Sequence, residues 1–242
     1  MKRTVLITGA SGSIGGALAK SFALAGDNVI LHYNNSKEEC EELCAMINNN
    51  GYSAKSIKAD LCSNDDIKNL ADFAIKNDVD ILINNAGVSD TSLFTDASAE
   101  NIDRVVLTNL SGMIKLTRLI LPHMLHKKSG CIINISSVWG ECGASCEVVY
   151  SAAKAGIIGF TKALAKEVAP SGVRVNCISP GVIRSRMLNE HSEETLLNLK
   201  KSIPLNRLGE PSDIAGCARF LASSSADYIT GEVIRVNGGF YI

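Results

Sequence analysis

Tyr150 and Lys154 stand four residues apart in VVYSAAKAGIIGFTKALA, a stretch with helical spacing, so both side chains project from one face and can reach one substrate. A phenol titrates near pH ~10, so donating a proton near neutrality needs help from a neighbouring cation, and Lys154 would supply it. Taken alone, a Tyr-x-x-x-Lys pair is more often an ordinary surface pair. Ser137 shifts that weighing, because it ends an apolar, β-branched run thirteen residues earlier. There its hydroxyl can hydrogen-bond a substrate oxygen and stabilise charge that develops on it. Together the three side chains suggest proton transfer to a substrate oxygen.

A second group lies at the other end of the chain. The first apolar run leads into Thr8-Gly9-Ala10-Ser11-Gly12-Ser13-Ile14-Gly15-Gly16 and then a helical stretch, the place where a dinucleotide pyrophosphate rests on backbone N–H groups. A glycine-rich turn by itself serves strand-to-helix geometry as often as binding. Asp60-Leu61 ends the third strand, where a carboxylate can accept from an adenine amino group, and Asn84-Asn85-Ala86-Gly87 ends the fourth. The second strand ends in HYNNSK, without the acidic residue that would hold a ribose 2'-OH. Asn34, Asn35, Ser36 and Lys37 can instead donate to a 2'-phosphate, which predicts a preference for NADP(H) with NAD(H) still possible.

These groups must be carried by elements that bring them to one edge. Short apolar runs recur at 4–8, 28–33, 55–59, 79–84, 131–135, 173–178 and 233–236 and read as strands buried on both faces. Helical stretches separate them: Ile14 to Ala25, Lys37 to Asn49, Asp65 to Lys76, Ile102 to His126, Tyr150 to Ala169 and Pro211 to Ala222. The alternation predicts an α/β fold: one domain over 1–242, a doubly wound, seven-stranded parallel sheet with helices on both faces. The strand ends then converge on one crevice. The polar, helical stretch 185–210 departs from the pattern and reads as a lid on the substrate side.

Composition narrows the classes. The 242 residues carry 24 Lys and Arg against 25 Asp and Glu, a net charge of -1 that leaves no field to hold nucleic acid. Eight cysteines in a chain of this length read as reduced thiols. The pairs Cys40/Cys44 and Cys142/Cys146 lack zinc-type spacing, so no metal is expected. Gly9, Ser11, Gly12 and Ser13 break the apolar core of a secretory signal, and no uninterrupted apolar run approaches the ~18 residues of a membrane span. A soluble, cytoplasmic protein is expected. No G-x-S-x-G elbow supports a serine hydrolase. Trp139 reads as core or subunit interface, and His191 as solvated.

The motif TGASGSIG, NNAG at 84–87, Asn109, Ser137, Tyr150-x-x-x-Lys154 and Pro180-Gly181 occur in the order and near the spacing of the short-chain dehydrogenases/reductases. The chain resembles that family over essentially its whole length, which implies a Rossmann fold and a homotetramer. The resemblance implies that Tyr150 is the general acid, that Lys154 also holds the nicotinamide ribose, and that Ser137, at the family's spacing, is the catalytic serine rather than Ser136. It also implies that Asn109 anchors a water relay to Lys154. Thr8, Gly9, Ser11, Gly12, Ser13, Ile14 and Gly15 would contact the dinucleotide, with Asn85, Ala86, Gly87, Pro180, Gly181, Ile183 and Ser185 further along. One position departs from T-G-x-x-x-G-x-G: Ser13 stands at the middle glycine, with Gly12 before it.

Within the family the chain is most similar to 3-oxoacyl-[acyl-carrier-protein] reductases, through INISSVWG, PLNRLGEPSDIA and the ending ITGEVIRVNGGFYI. That resemblance implies a ketone substrate carried on acyl-carrier protein. Lys127 and Lys128 match one basic position of those reductases, Ser171 falls at the second, and Arg184 and Arg186 either compensate or form a solvated edge. The segment VWGECGASCEVV also resembles the elongation factor P 5-aminopentanone reductases. Glu141 and Glu147 in this Val138–Val149 loop would favour an aminoketone if they face the pocket; solvent or a neighbouring subunit is the other place for them. A reading of another class is a nucleotide-sensing protein without turnover.

Overall fold

The computed structural model describes residues 2–185 and 193–242. Strands β1 (Thr4–Ile7), β2 (Asn28–Tyr33), β3 (Ser53–Lys58), β4 (Ile81–Asn84), β5 (Gly130–Ile135), β6 (Val173–Pro180) and β7 (Val233–Val236) form one sheet in the order β3-β2-β1-β4-β5-β6-β7. Every neighbouring pair is parallel, so each connection has to cross a face of the sheet. The chain steps outward from β1 to β2 and β3, then returns to β4 on the other side of β1. At that reversal the loops after β1 and β4 part and leave a crevice, as in other Rossmann folds.

Alternation along the strands feeds two cores. Val5 and Ile7 point to the face covered by α1 (Ser13–Leu24), α2 (Lys37–Asn49) and α9 (Pro211–Leu221), where Leu18, Phe22, Leu43 and Ile214 are buried. Leu6, Leu82 and Ile132 point to the opposite face, covered by α3 (Asn64–Lys76), α5 (Gly112–Lys127) and α7 (Val148–Val168). Burial on both faces holds for the central strands but not for the edges. In β3 Lys55 and Lys58 are exposed, as is Arg235 in β7, because an edge strand has one neighbour and charge there discourages pairing with another chain.

The expected helix at 102–126 is longer and not uniform. Helix α4 (Ala99–Val106) runs into a widened π-helical turn at Leu107–Ser111 and on into α5. By length and composition this helix and the one at Val148–Ser171 could cross a membrane. Each instead spends an apolar face on the sheet, through Leu116, Ile120 and Met124 in one and Ile157, Ala165 and Val168 in the other. A short helix α6 (Trp139–Cys142), absent from the expectations, follows β5. Helix α8 (Glu193–Lys201) lies in the expected lid; 186–192, with Arg186 and His191, fall outside the described residues.

Candidate active site

Ser137, Tyr150 and Lys154 line one cavity of about 260 Å³ at the carboxyl end of the sheet. Strand β5 delivers Ser137 and the second turn of α7 delivers Lys154, with Tyr150 one turn before it. Tyr150 is within hydrogen-bonding reach of Ser137, whose Oγ accepts from Trp139 N–H at 3.2 Å. Lys154 is buried, its Nζ donating to the Ile135 carbonyl at 2.9 Å and lying 5.5 Å from the centre of the Tyr150 ring. Burial drives the two groups toward neutrality. It pushes the Tyr150 phenol up to about 12 against the Ser137 hydrogen bond, with Glu147 adding in the same direction, and lowers Lys154 to about 8. Lys154 does not figure among the groups that move the phenol, its Nζ being turned to the Ile135 carbonyl. Ser136 donates to the Lys154 main-chain carbonyl at 2.8 Å.

The π-helical turn aims Asn109 inward, where it is buried and clasps the Val88 backbone, Oδ1 accepting from Val88 N–H and Nδ2 donating to Val88 O, both at 2.7 Å. Gly87 sits between it and Lys154: a Cβ there would lie 3.0 Å from Asn109 Oδ1 and 3.4 Å from Lys154 Nζ. Asn85 spends its amide donors on the carbonyls of Thr8 and Gly9, while Thr8 Oγ1 accepts from the N–H groups of Asn85 and Ala86. These residues brace the β1 and β4 ends against each other.

At that junction α1 begins without a side-chain cap, whereas Ser63 caps α3, Ser98 caps α4 and a capping box closes α9. Its first backbone bond is Gly16 N–H to Gly12 O, so the amides of Ser13, Ile14 and Gly15 have no intrahelical acceptor. No acidic side chain occupies the first turn. Gly15 is required by packing, because a Cβ there would overlap the Gly9 carbonyl oxygen; one on Gly12 would meet that oxygen at 3.5 Å, an ordinary contact.

The whole-chain comparisons agree with this geometry. A family model described as enoyl-(acyl carrier protein) reductase matches residues 9–241. The chain is 40% identical to "uncharacterized oxidoreductase YmfI" of Bacillus subtilis (strain 168), with all of both chains covered. It is 38% identical to 3-oxoacyl-[acyl-carrier-protein] reductase FabG of Staphylococcus epidermidis, again over all of both chains. For FabG of Staphylococcus aureus the identity is 39%, over all of this chain and 99% of the other. The chain belongs to the short-chain dehydrogenase/reductase family.

Membership implies a nicotinamide cofactor, and the residues present fit one. The uncapped N-terminus of α1 offers amides to a pyrophosphate, and Ile14, Asn85, Gly87, Pro180, Gly181, Ile183 and Ser185 line the same cavity as Tyr150. Asp60 is partly committed, its Oδ1 accepting from Cys62 N–H at 2.9 Å, with Leu61 buried beside it. Asn34, Asn35 and Ser36 close β2 at the surface with no carboxylate among them. Among the described residues no group of His, Cys, Asp or Glu is arranged for a metal.

The partners of five residues in the reductase were not legible beforehand. Buried His32 bonds Gly9 and Ala59. Glu141 faces neither pocket nor solvent; it pairs with Arg235 at 2.6 Å while Trp139 packs edge-on against Phe240, fastening the Ser137 loop to the chain's last strand and tail. Glu147 accepts from Thr91 Oγ1 at 2.9 Å and leaves its Oε2 buried without a partner. Lys127 is held by Asp78 and Asp80 at the amino edge of the sheet, the end away from Tyr150, and Arg184 pairs with Glu210. Charge on a sequence gives no direction, so only the structure separates these fates.

Proposed function

We propose that this reductase converts a ketone to a secondary alcohol with NADPH, using Tyr150 as general acid. When bound, the cofactor supplies the hydride that reaches the carbonyl carbon. Ser137 hydrogen-bonds the carbonyl oxygen, Tyr150 donates its proton to that oxygen, and Lys154 in its charged form offsets the phenolate left behind. Asn109 holds Val88 and keeps the wall beside Lys154 in place for the proton's return from solvent. The observation that carries this reading is that Ser137, Tyr150 and Lys154 line one cavity with Gly181, Ile183 and Ser185, next to the uncapped start of α1.

On this reading Thr8, Gly9, Ser11, Gly12, Ser13, Ile14 and Gly15 shape the pyrophosphate turn. Asn34, Asn35, Ser36 and Lys37 take the 2'-phosphate, and Asp60 and Leu61 border the adenine. Ala86, Gly87, Pro180, Gly181, Ile183 and Ser185 flank the nicotinamide end, and the described part of the expected lid, 193–210, covers the substrate. A homotetramer in the cytoplasm, without nucleic acid or membrane, is the expected setting.

The substrate proposed first is a 3-oxoacyl thioester on acyl-carrier protein, supported by full-length relatives named for that reaction. Because Lys127 is committed to Asp78 and Asp80, this choice rests on the relatives and not on a basic patch beside Tyr150. The second reading, an aminoketone such as the 5-aminopentanone group on elongation factor P, is favoured by Glu147, a carboxylate that acts on Tyr150 and has one buried, unpartnered oxygen. An ammonium would give that oxygen a charge-assisted hydrogen bond of about 1.5–3 kcal/mol. The test is NADPH and NADH oxidation with acetoacetyl thioesters and with the modified elongation factor. The expected result is turnover of the thioester with NADPH more efficient than NADH. Preference for the aminoketone selects the second reading, equal efficiency with NADH overturns the cofactor preference, and no oxidation with any ketone leaves a nucleotide-sensing protein.

A further inference from the structure

His32 is 2% exposed at the end of β2, and it holds two consecutive amides of the glycine-rich turn. Gly9 N–H donates to its Nδ1 at 3.1 Å, and Ala10 N–H donates to its main-chain oxygen at 2.9 Å. The other ring nitrogen, Nε2, lies 2.9 Å from the Ala59 carbonyl at the end of β3. An amide can only donate and a carbonyl can only accept, so this arrangement requires a lone pair on Nδ1 and the proton on Nε2. An imidazolium would set one N–H against another. Burial favours the neutral ring and lowers its pKa, opposed by the Ala59 bond and by nearby Asp60.

Gly9 is at φ +65°, and a Cβ on it would stand 2.9 Å from Ala86 Cα, so the turn is gripped by His32 on one side and the β4 end on the other. With Gly9 and Ala10 N–H held by His32 and Gly12 N–H given to Gly9 O at 3.2 Å, the Ser11 amide and those at the start of α1 are the ones left without a backbone acceptor. We propose that His32 is a positioning residue of the dinucleotide site, whose neutral, Nε2-protonated ring fixes the Gly9 amide and thereby the phosphate-accepting shape of the turn. The proposal rests on the dinucleotide lying at this turn and is independent of the ketone.

Two substitutions separate its halves. In His32→Asn the amide oxygen falls near the place of Nδ1 and keeps an acceptor for Gly9; in His32→Gln the amide nitrogen reaches toward Ala59 and that acceptor is lost. NADPH dissociation constants, the exchange rate of the Gly9 amide and unfolding free energy are measured for both and for the unaltered protein. The expected result is about tenfold weaker NADPH binding and faster Gly9 exchange in His32→Gln, with binding in His32→Asn within about threefold of the unaltered chain. Unchanged binding in both variants would overturn the proposal. So would equal losses that track unfolding free energy, the pattern of a purely structural residue. Should either variant fail to fold, imidazole nitrogen shifts of the unaltered protein still decide, since a proton on Nδ1 contradicts the assignment. Failure of the unaltered protein to bind NADPH or NADH would instead strike the functional reading.

Discussion

In the proposed reaction Tyr150 enters protonated, because burial pushes its phenol up to about 12, and the demand falls on the phenolate it leaves behind. Lys154, lowered to about 8, is a cation below that pH and neutral above it. The stabilised phenolate therefore requires the acid side of the Lys154 titration, and reduction should fall as pH rises through about 8. A pH–rate profile at saturating substrate checks this; a flat profile through pH ~10 would show that the Lys154 charge does not matter. The two loop carboxylates should behave differently. Glu141→Gln weakens a pair whose arginine is 45% exposed, so it should cost about 1 kcal/mol of stability and leave the ratio of thioester to aminoketone efficiency unchanged. Glu147→Gln should shift that ratio toward the thioester if its charge selects substrate. Tyr150, Lys154 and Ser137 were legible because type and spacing along one helix and one strand end fix their proximity. Glu141 was not, since its partner lies 94 residues away and only the closing of the sheet brings them together.

Among the elements, α1 carries the phosphate end of the proposed reaction: like α2 and α7, and unlike α3, α4 and α9, it has no side-chain cap, and its open first turn lies beside the crevice. Its geometry depends on Gly15, so Gly15→Ala should destabilise the fold by about 1–3 kcal/mol and weaken NADPH binding, whereas Gly12→Ala should do neither to a comparable degree. Chemical unfolding together with a cofactor titration tests the contrast, and an unaffected Gly15→Ala would remove the close approach from the account. The strands were readable to within about two residues, because runs such as VLI and ILIN are apolar on both faces and bounded by polar turns. Strand β3, SAKSIK, is an edge and carries two exposed lysines, so the burial expected of it failed. The π-helical turn under Asn109 left no periodic signal, since one extra residue in a helix only slips the phase.

At the scale of the whole molecule, parallel pairing sends every crossover over a face and gathers the ends of β1, β4, β5 and β6 at one edge. That convergence brings residues spread from Ile14 to Ser185 to one cavity, and the alternation of strand and helix made the shared edge foreseeable. The assembly is a separate matter: a homotetramer should sediment at about four times 25.7 kDa, and a monomer at micromolar concentration would refute it. The account stands most directly on Tyr150, the one group asked to give up a proton. Tyr150→Phe assayed for NADPH oxidation with an acetoacetyl thioester should lose turnover by a factor of about 10²–10⁴ while binding NADPH about as tightly as the unaltered protein. Turnover close to that of the unaltered protein would contradict the account.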